Sequence, residues 1–372
     1  MNKNLFKILF YAIRRIFIRN NKVTEWNAHV EIQKNWGKIQ EIPFSERNTS
    51  INNLIHEINI EFDITKNVKL QNINYQNVFL PKHRDIFFIY ENKYKNVGST
   101  FMRGEQLCGL LSKKNDDIYN IHYSTYNNFS NKILFLTKGF LKETTPEILN
   151  KMRLKGNVIL ADFVDEPPII ELIDEIDILI ASSIKSFIYY KMNWPYKQSA
   201  HLTHHVDPRI SNFINTNKFH NAKIGYFGEI VNTKTTRSIS DIVEFVGVNC
   251  TNSRDIEWMK KINGYNCHYA IRNKRKLDGF KPFLKGFVAA HCNANICIQR
   301  NESDAIYYLN GDYPFLVSAD ANESEILDML NRIKDSYGSG EWKYGLEVMR
   351  HVKEMSSDNF ILNEFIDVID SI

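Results

Sequence analysis

Beyond residue 81 the chain repeats one pattern: a short apolar run of strand length, then a stretch of helical character, then another run. The runs fall at 86–90, 118–122, 133–136, 158–161 and 178–181. Runs that are apolar throughout, rather than alternating, belong to strands buried on both faces, which is the condition of a parallel sheet between two helix layers. The clearest unit spans 144–161. Thr145 can cap a helix, Pro146 suits its first turn and Gly156 its end, and Asn157-Val158-Ile159-Leu160 follows at once as a strand. A second series opens at Ala222-Lys223-Ile224-Gly225-Tyr226-Phe227-Gly228 and continues at 242–246, 267–271, 294–298 and 314–317. The expectation is an α/β protein of two Rossmann-like lobes facing each other across a cleft, at 81–205 and 206–345. Residues 346–372 form a helical tail, and the hinge lies in His204-His205-Val206-Asp207-Pro208-Arg209.

Length agrees, because 372 residues suit two domains better than one core. With 47 basic against 43 acidic residues the net charge is only +4, too balanced for a dedicated nucleic-acid binder. The five cysteines, Cys108, Cys250, Cys267, Cys292 and Cys297, are odd in number and scattered. They fit neither a disulfide framework nor a paired metal motif, and free thiols in a reducing cytoplasm are the simplest reading. No spaced histidine set or convincing pair of aspartates stands ready for a metal, so no metal and no cofactor are expected.

Residues 1–80 read as an extension. At its start Leu5, Phe6, Leu9, Phe10, Ile13, Ile16 and Phe17 recur at helical spacing among Lys3, Lys7, Arg14, Arg15 and Arg19. The apolar stretch is far short of the ~20 residues a spanning helix needs. No small-residue cleavage site follows it, as a signal peptide would require. A basic amphipathic helix on an anionic membrane surface and a terminal helix docked on the core fit equally well.

In open parallel sheets ligands bind beyond the carboxyl ends of the strands. In the first lobe one such loop carries Ser99 and Arg103, and another carries Asp162, Asp165 and Glu166 before Pro167. Ser99, Arg103 and Asp162 are candidates for binding acceptor hydroxyls, and Asp165 for taking the acceptor's proton. Helix capping is the alternative for these acids. Of the adjacent histidines at the hinge at most one is functional, and His205 is the candidate. In the second lobe Gly228 ends the opening strand in a turn that admits a diphosphate. Arg272, Lys274, Arg275, Lys276, Lys281 and Lys285 then gather after a strand and at the opening of a helix near Pro282. Cations beside free backbone N–H groups form a phosphate site, whereas a solvated basic loop is the bland alternative. Ser303 and Asp304 precede another helix, where they either cap it or meet sugar hydroxyls.

These pieces resemble a known family. His205-Val206-Asp207-Pro208 followed by Phe213 resembles the interlobe segment of glycosyltransferases of the GT-B fold. Ile224 to Gly228 is similar to the opening strand of their donor lobe. Lys281-Pro282-Phe283-Leu284-Lys285 followed by Ala289-Ala290 resembles the KPxxK…A stretch of bacterial members with a family-4-like donor lobe. The paired glutamates of many retaining members are replaced by Lys281 and Val288, which leaves the stereochemistry open. The resemblance implies a GT-B protein whose second lobe binds a nucleotide-sugar through Gly228, Arg272, Lys281 and Lys285, with Ser303 and Asp304 near the ribose. Its first lobe holds a glycan or lipid-linked acceptor of bacterial surface polysaccharide synthesis. The expected place is the cytoplasm, with the inner membrane face as the second reading. A sugar-nucleotide epimerase or phosphorylase, and a non-catalytic two-lobed ligand-binding protein, are the alternatives on the same architecture.

Overall fold

The computed structural model describes residues 84–113, 119–214, 219–273, 278–302 and 304–372. The basic N-terminal segment, Lys274, Arg275, Lys276 and Ser303 lie outside the described residues.

Two parallel sheets organise the molecule. The first contains β1 (Arg84–Ile89), β2 (Tyr119–Ser124), β3 (Ile133–Leu136), β4 (Val158–Asp162), β5 (Ile178–Ala181) and β6 (Gln198–His201), in the order β2-β1-β3-β4-β5-β6. Every residue of β3, β4 and β5 is buried, which is why these strands read as unbroken apolar runs. One face packs on the helix Pro146–Arg153 through Leu149 and Met152. The other face packs on Leu107–Lys113 and on the C-terminal helix Asp358–Asp370, through Ile361, Phe365, Val368 and Ile369. β6 carries the polar sequence QSAH at the sheet edge and has no apolar run to announce it.

The second sheet contains β7 (Ile224–Gly228), β8 (Val243–Gly247), β9 (Cys267–Tyr269), β10 (Asn295–Gln299) and β11 (Leu316–Val317), in the order β11-β10-β9-β7-β8. Its core joins Ile224, Tyr226, Ile296 and Ile298 to Phe287, Leu330 and Val352 from the surrounding helices. The helix Gly340–Met355 belongs to this lobe, packing on Leu284–His291. The chain then returns, and its last helix completes the first lobe, where Glu364 accepts hydrogen bonds from the Thr203 amide at 2.8 Å and its hydroxyl at 3.1 Å. The tail is thus divided between the lobes.

Both sheets share one topology. The first two strands of each run outward, and the third returns to the other side of the first. The switch points therefore lie between β1 and β3 in one lobe and between β7 and β9 in the other. Among the described residues no helix is long and apolar enough to cross a membrane.

Candidate active site

The carboxyl ends of the strands at the two switch points border a cleft of about 390 Å³. Gly98, Ser99, Asp165 and His204 line it from the first lobe; Gly228, Arg272, Lys281 and Lys285 line it from the second.

The second-lobe wall is set by the helix Leu284–His291. Its start is anchored by Phe283, whose ring stacks on Tyr308 at 5.3 Å and meets Phe287 edge-on at 5.5 Å. The Phe283 ring lies where a side chain at Gly286 would stand, so glycine allows this approach. Lys285, two residues beyond that anchor, then reaches back to β7. Its Nζ donates to the Phe227 carbonyl at 3.0 Å and sits 3.9 Å from the Tyr226 ring centre. Lys285 makes no ion pair among the described residues. Burial and the nearby Arg272 push its pKa down to about 7. Gly228 ends β7 directly beneath this ammonium. Arg272 follows β9, with its backbone N–H donating to Gln299 Oε1 at 2.9 Å and its Nε 2.6 Å from Glu302. Lys285 and Arg272 thus face the cleft side by side, an arrangement that attracts an anion.

Across the cleft, Asp165 stands between two lysines. Its Oδ1 accepts from Lys138 at 2.6 Å, and its Oδ2 accepts from Lys281 of the other lobe at 2.9 Å. Burial acts to raise its pKa, but the charges of Lys281 and Lys138 outweigh it and hold the carboxyl well below the usual range. A carboxylate so stabilised is a weak base. The expectation that Asp165 takes the acceptor's proton is not supported in this state.

The hinge histidines divide, with His204 and not His205 lining the cleft. His204 Nδ1 lies 2.9 Å from the His205 carbonyl, which only accepts, so Nδ1 carries the proton and Nε2 keeps its lone pair. Burial and Arg103 push the His204 pKa down to about 3. His205 is fully buried, with Nε2 3.4 Å from Gln106 Oε1 and Nδ1 sealed without a hydrogen-bond partner among the described residues. The sequence reading chose the member whose ring turns away from the cleft, since alternation along the chain does not say which ring turns inward.

Three further candidates are placed elsewhere. Arg103 and Asp162 are fully buried and pair with each other, Nε to Oδ2 at 2.6 Å, while Arg103 Nη1 donates to the Thr203 carbonyl at 3.0 Å. Asp162 Oδ1 accepts from the Val164 amide at 2.8 Å. These groups brace the first lobe and do not reach an acceptor. Arg103 points inward because its helical stretch is a π-helix over Phe101–Gln106, a register that helical periodicity does not reveal. Asp304 is likewise buried. It accepts from the Ile184 and Lys185 amides, at 2.9 and 3.3 Å, at the start of the first-lobe helix Ile184–Asn193. It caps a helix of the opposite lobe rather than facing a ribose.

Ser99 and Gly228 both line the cleft, and a Cβ at Gly228 would stand 3.0 Å from Lys285 Nζ. Sequence reading missed Lys138, Tyr226 and Glu302. Lys138 lies two residues beyond the third strand, at the start of a short helix after Thr137, and that strand-end position was the available signal. Among the described residues no group of three or more His, Cys, Asp or Glu side chains is placed to hold a metal ion.

No protein-family profile matches the chain, and no curated protein sequence matches it. Solved structures do. A glycosyltransferase from Rickettsia africae superposes with a TM-score of 0.53 at 10% identity, over 78% of this chain and 99% of that one. Anabaena HepE in complex with UDP and glucose superposes with a TM-score of 0.51 at 10% identity, over 78% of this chain and all of that one. At this identity the likeness establishes the fold, two Rossmann-like lobes of the GT-B type.

Proposed function

We propose that the chain is a glycosyltransferase that takes a sugar from a nucleotide-sugar held against the second lobe and passes it to a glycan or lipid-linked acceptor at the first. The observation that carries this reading is Lys285. It is a half-buried ammonium with a carbonyl and an aromatic ring for company and, among the described residues, no carboxylate paired to it, beside Arg272 at the switch point of a Rossmann-like lobe. An anion of the size of a diphosphate completes such a site. Lys281, at the same mouth, supplies a third cation, in keeping with a family-4-like donor lobe. HepE, which shares the two-lobed fold, is described in complex with UDP and glucose, consistent with this assignment.

In the proposed reaction the bond from the sugar's anomeric carbon to the diphosphate oxygen breaks while the acceptor's hydroxyl oxygen bonds to that carbon, and the hydroxyl's proton leaves to the departing phosphate or to solvent. Negative charge grows on the departing phosphate, where Lys285, Arg272 and Lys281 stabilise it. These cations do the work that a divalent ion does in other sugar transferases, so we read the reaction as metal-independent. The nucleotide-sugar is a substrate, and no cofactor enters. Bacterial surface polysaccharide synthesis at the cytoplasmic face of the membrane is the setting in which we place it.

Thermal denaturation with UDP, GDP, CMP and their sugars tests the assignment. A true ligand at ~100 times its dissociation constant adds ~2.7 kcal/mol of stability. Chelation by EDTA should leave both the shift and the turnover of the identified donor in place. If every nucleotide leaves the melting curve of the wild-type protein unmoved, the assignment is wrong.

A further inference from the structure

The ion pair across the cleft bears on how the site is entered. Asp165 belongs to the loop after β4 in the first lobe, Lys281 precedes the helix Leu284–His291 in the second, and their 2.9 Å contact bridges the two. Asp165 is also the least replaceable partner in its cluster. Glu166 pairs with Lys138 at 2.8 Å and Lys142 at 2.9 Å but does not reach Lys281. A carboxylate and a phosphate oxygen offer an ammonium the same kind of charged acceptor. Both side chains of the bridging pair are about one quarter exposed, so an incoming anion has access to Lys281.

We propose that Asp165 is an internal competitor for the donor's diphosphate: it occupies Lys281 in the empty cleft, and the diphosphate displaces it. This rests on the donor-site reading above and adds a regulatory element to it. While Asp165 holds Lys281, the lobes are tied together at the mouth of the cleft. When phosphate oxygens take Lys281, that tie is cut, and Asp165 stays paired with Lys138. Occupancy of the donor site and the connection between lobes are thereby linked through one lysine. Asp165 weakens donor binding, because the ligand must break an existing pair before it makes its own.

The test is calorimetric titration of the full chain with inorganic pyrophosphate and with UDP. Asp165→Asn should bind both about fivefold more tightly than wild type, the scale of a partly exposed ion pair. Lys138 keeps Glu166 in that variant, so the first lobe retains its fold. Lys281→Ala should bind more weakly, and the double variant Asp165→Asn/Lys281→Ala should match Lys281→Ala alone. Glu166→Gln, which removes an equal charge from the same cluster, should stay within twofold of wild type. The proposal is overturned if Asp165→Asn binds no more tightly than wild type. It is also overturned if its gain persists without Lys281 or is reproduced by Glu166→Gln, since long-range charge would then be the cause. Failure of the donor-site reading looks different: wild type and Asp165→Asn alike then bind neither UDP nor pyrophosphate.

Discussion

The Lys285 ammonium lies 3.9 Å from the centre of the Tyr226 ring and donates to the Phe227 backbone carbonyl. Burial and Arg272 bring its pKa from 10.5 to about 7. A bound phosphate favours the protonated form, so nucleotide-sugar affinity should be full below about pH 7 and fall as pH rises through it. For the ligand-free protein the sign is opposite. Between pH 7 and 10.5 the unfolded chain holds the extra proton, so stability from this group rises with pH across that window. Calorimetry from pH 6 to 9 checks the first trend. Lys285→Ala should flatten the profile and weaken binding roughly tenfold or more, the loss of one charge-assisted contact.

Gly228 tests the same site without touching a charge. A Cβ there would stand 3.0 Å from Lys285 Nζ and 2.7 Å from the Tyr226 hydroxyl oxygen. The lysine can swing away while the ring is fixed in the core. Gly228→Ala should therefore displace Lys285 and weaken nucleotide binding, and it should also lower the melting temperature, because its φ of 157° and the fixed Tyr226 ring leave a side chain there strained. Unaltered binding would mean that Lys285 is not held where the phosphate sits.

Asp304 separates helix capping from substrate binding. With Ser183, which accepts from the Ser186 amide at 3.1 Å, it satisfies the exposed N–H groups at the start of Ile184–Asn193. Asp304→Ala should lower stability by ~1–2 kcal/mol, the usual cost of losing such a cap. Nucleotide affinity should stay within twofold of wild type. Chemical denaturation and calorimetry on one preparation read both outcomes.

The buried pair of Arg103 and Asp162 makes a sharper demand. Removing one partner leaves the other charged in a dry interior, which costs roughly 3–5 kcal/mol. Asp162→Asn should show this loss in urea unfolding. A variant of full stability with impaired acceptor use would return Asp162 to the substrate.

Strand positions were legible in the sequence wherever a strand is covered on both faces, as β3 and β5 show: the apolar runs at 133–136 and 178–181 coincide with them. β6 was not legible, because an edge strand of sequence QSAH needs no such run. In the candidate site, Lys281 and Lys285 were readable from their spacing at a helix start, and both face the cleft. Arg103, Asp162 and Asp304 were placed at the right strand and helix ends but assigned to ligands. What decides their role is the partner that folding brings to them. For Asp304 that partner is a pair of amides in the opposite lobe, and for Arg103 it is the acid at the end of β4. A single sequence carries no record of pairings over such separations.

The return of the last helix to the first lobe has a consequence during synthesis. Ile361, Phe365, Val368 and Ile369 cover a face of the first sheet, whose strands are complete once His201 has been made. At typical elongation rates that face waits roughly 8–30 s for its cover while the whole second lobe emerges. The half of the protein that is made first is therefore finished last, and its open apolar face is the surface a nascent-chain chaperone would meet.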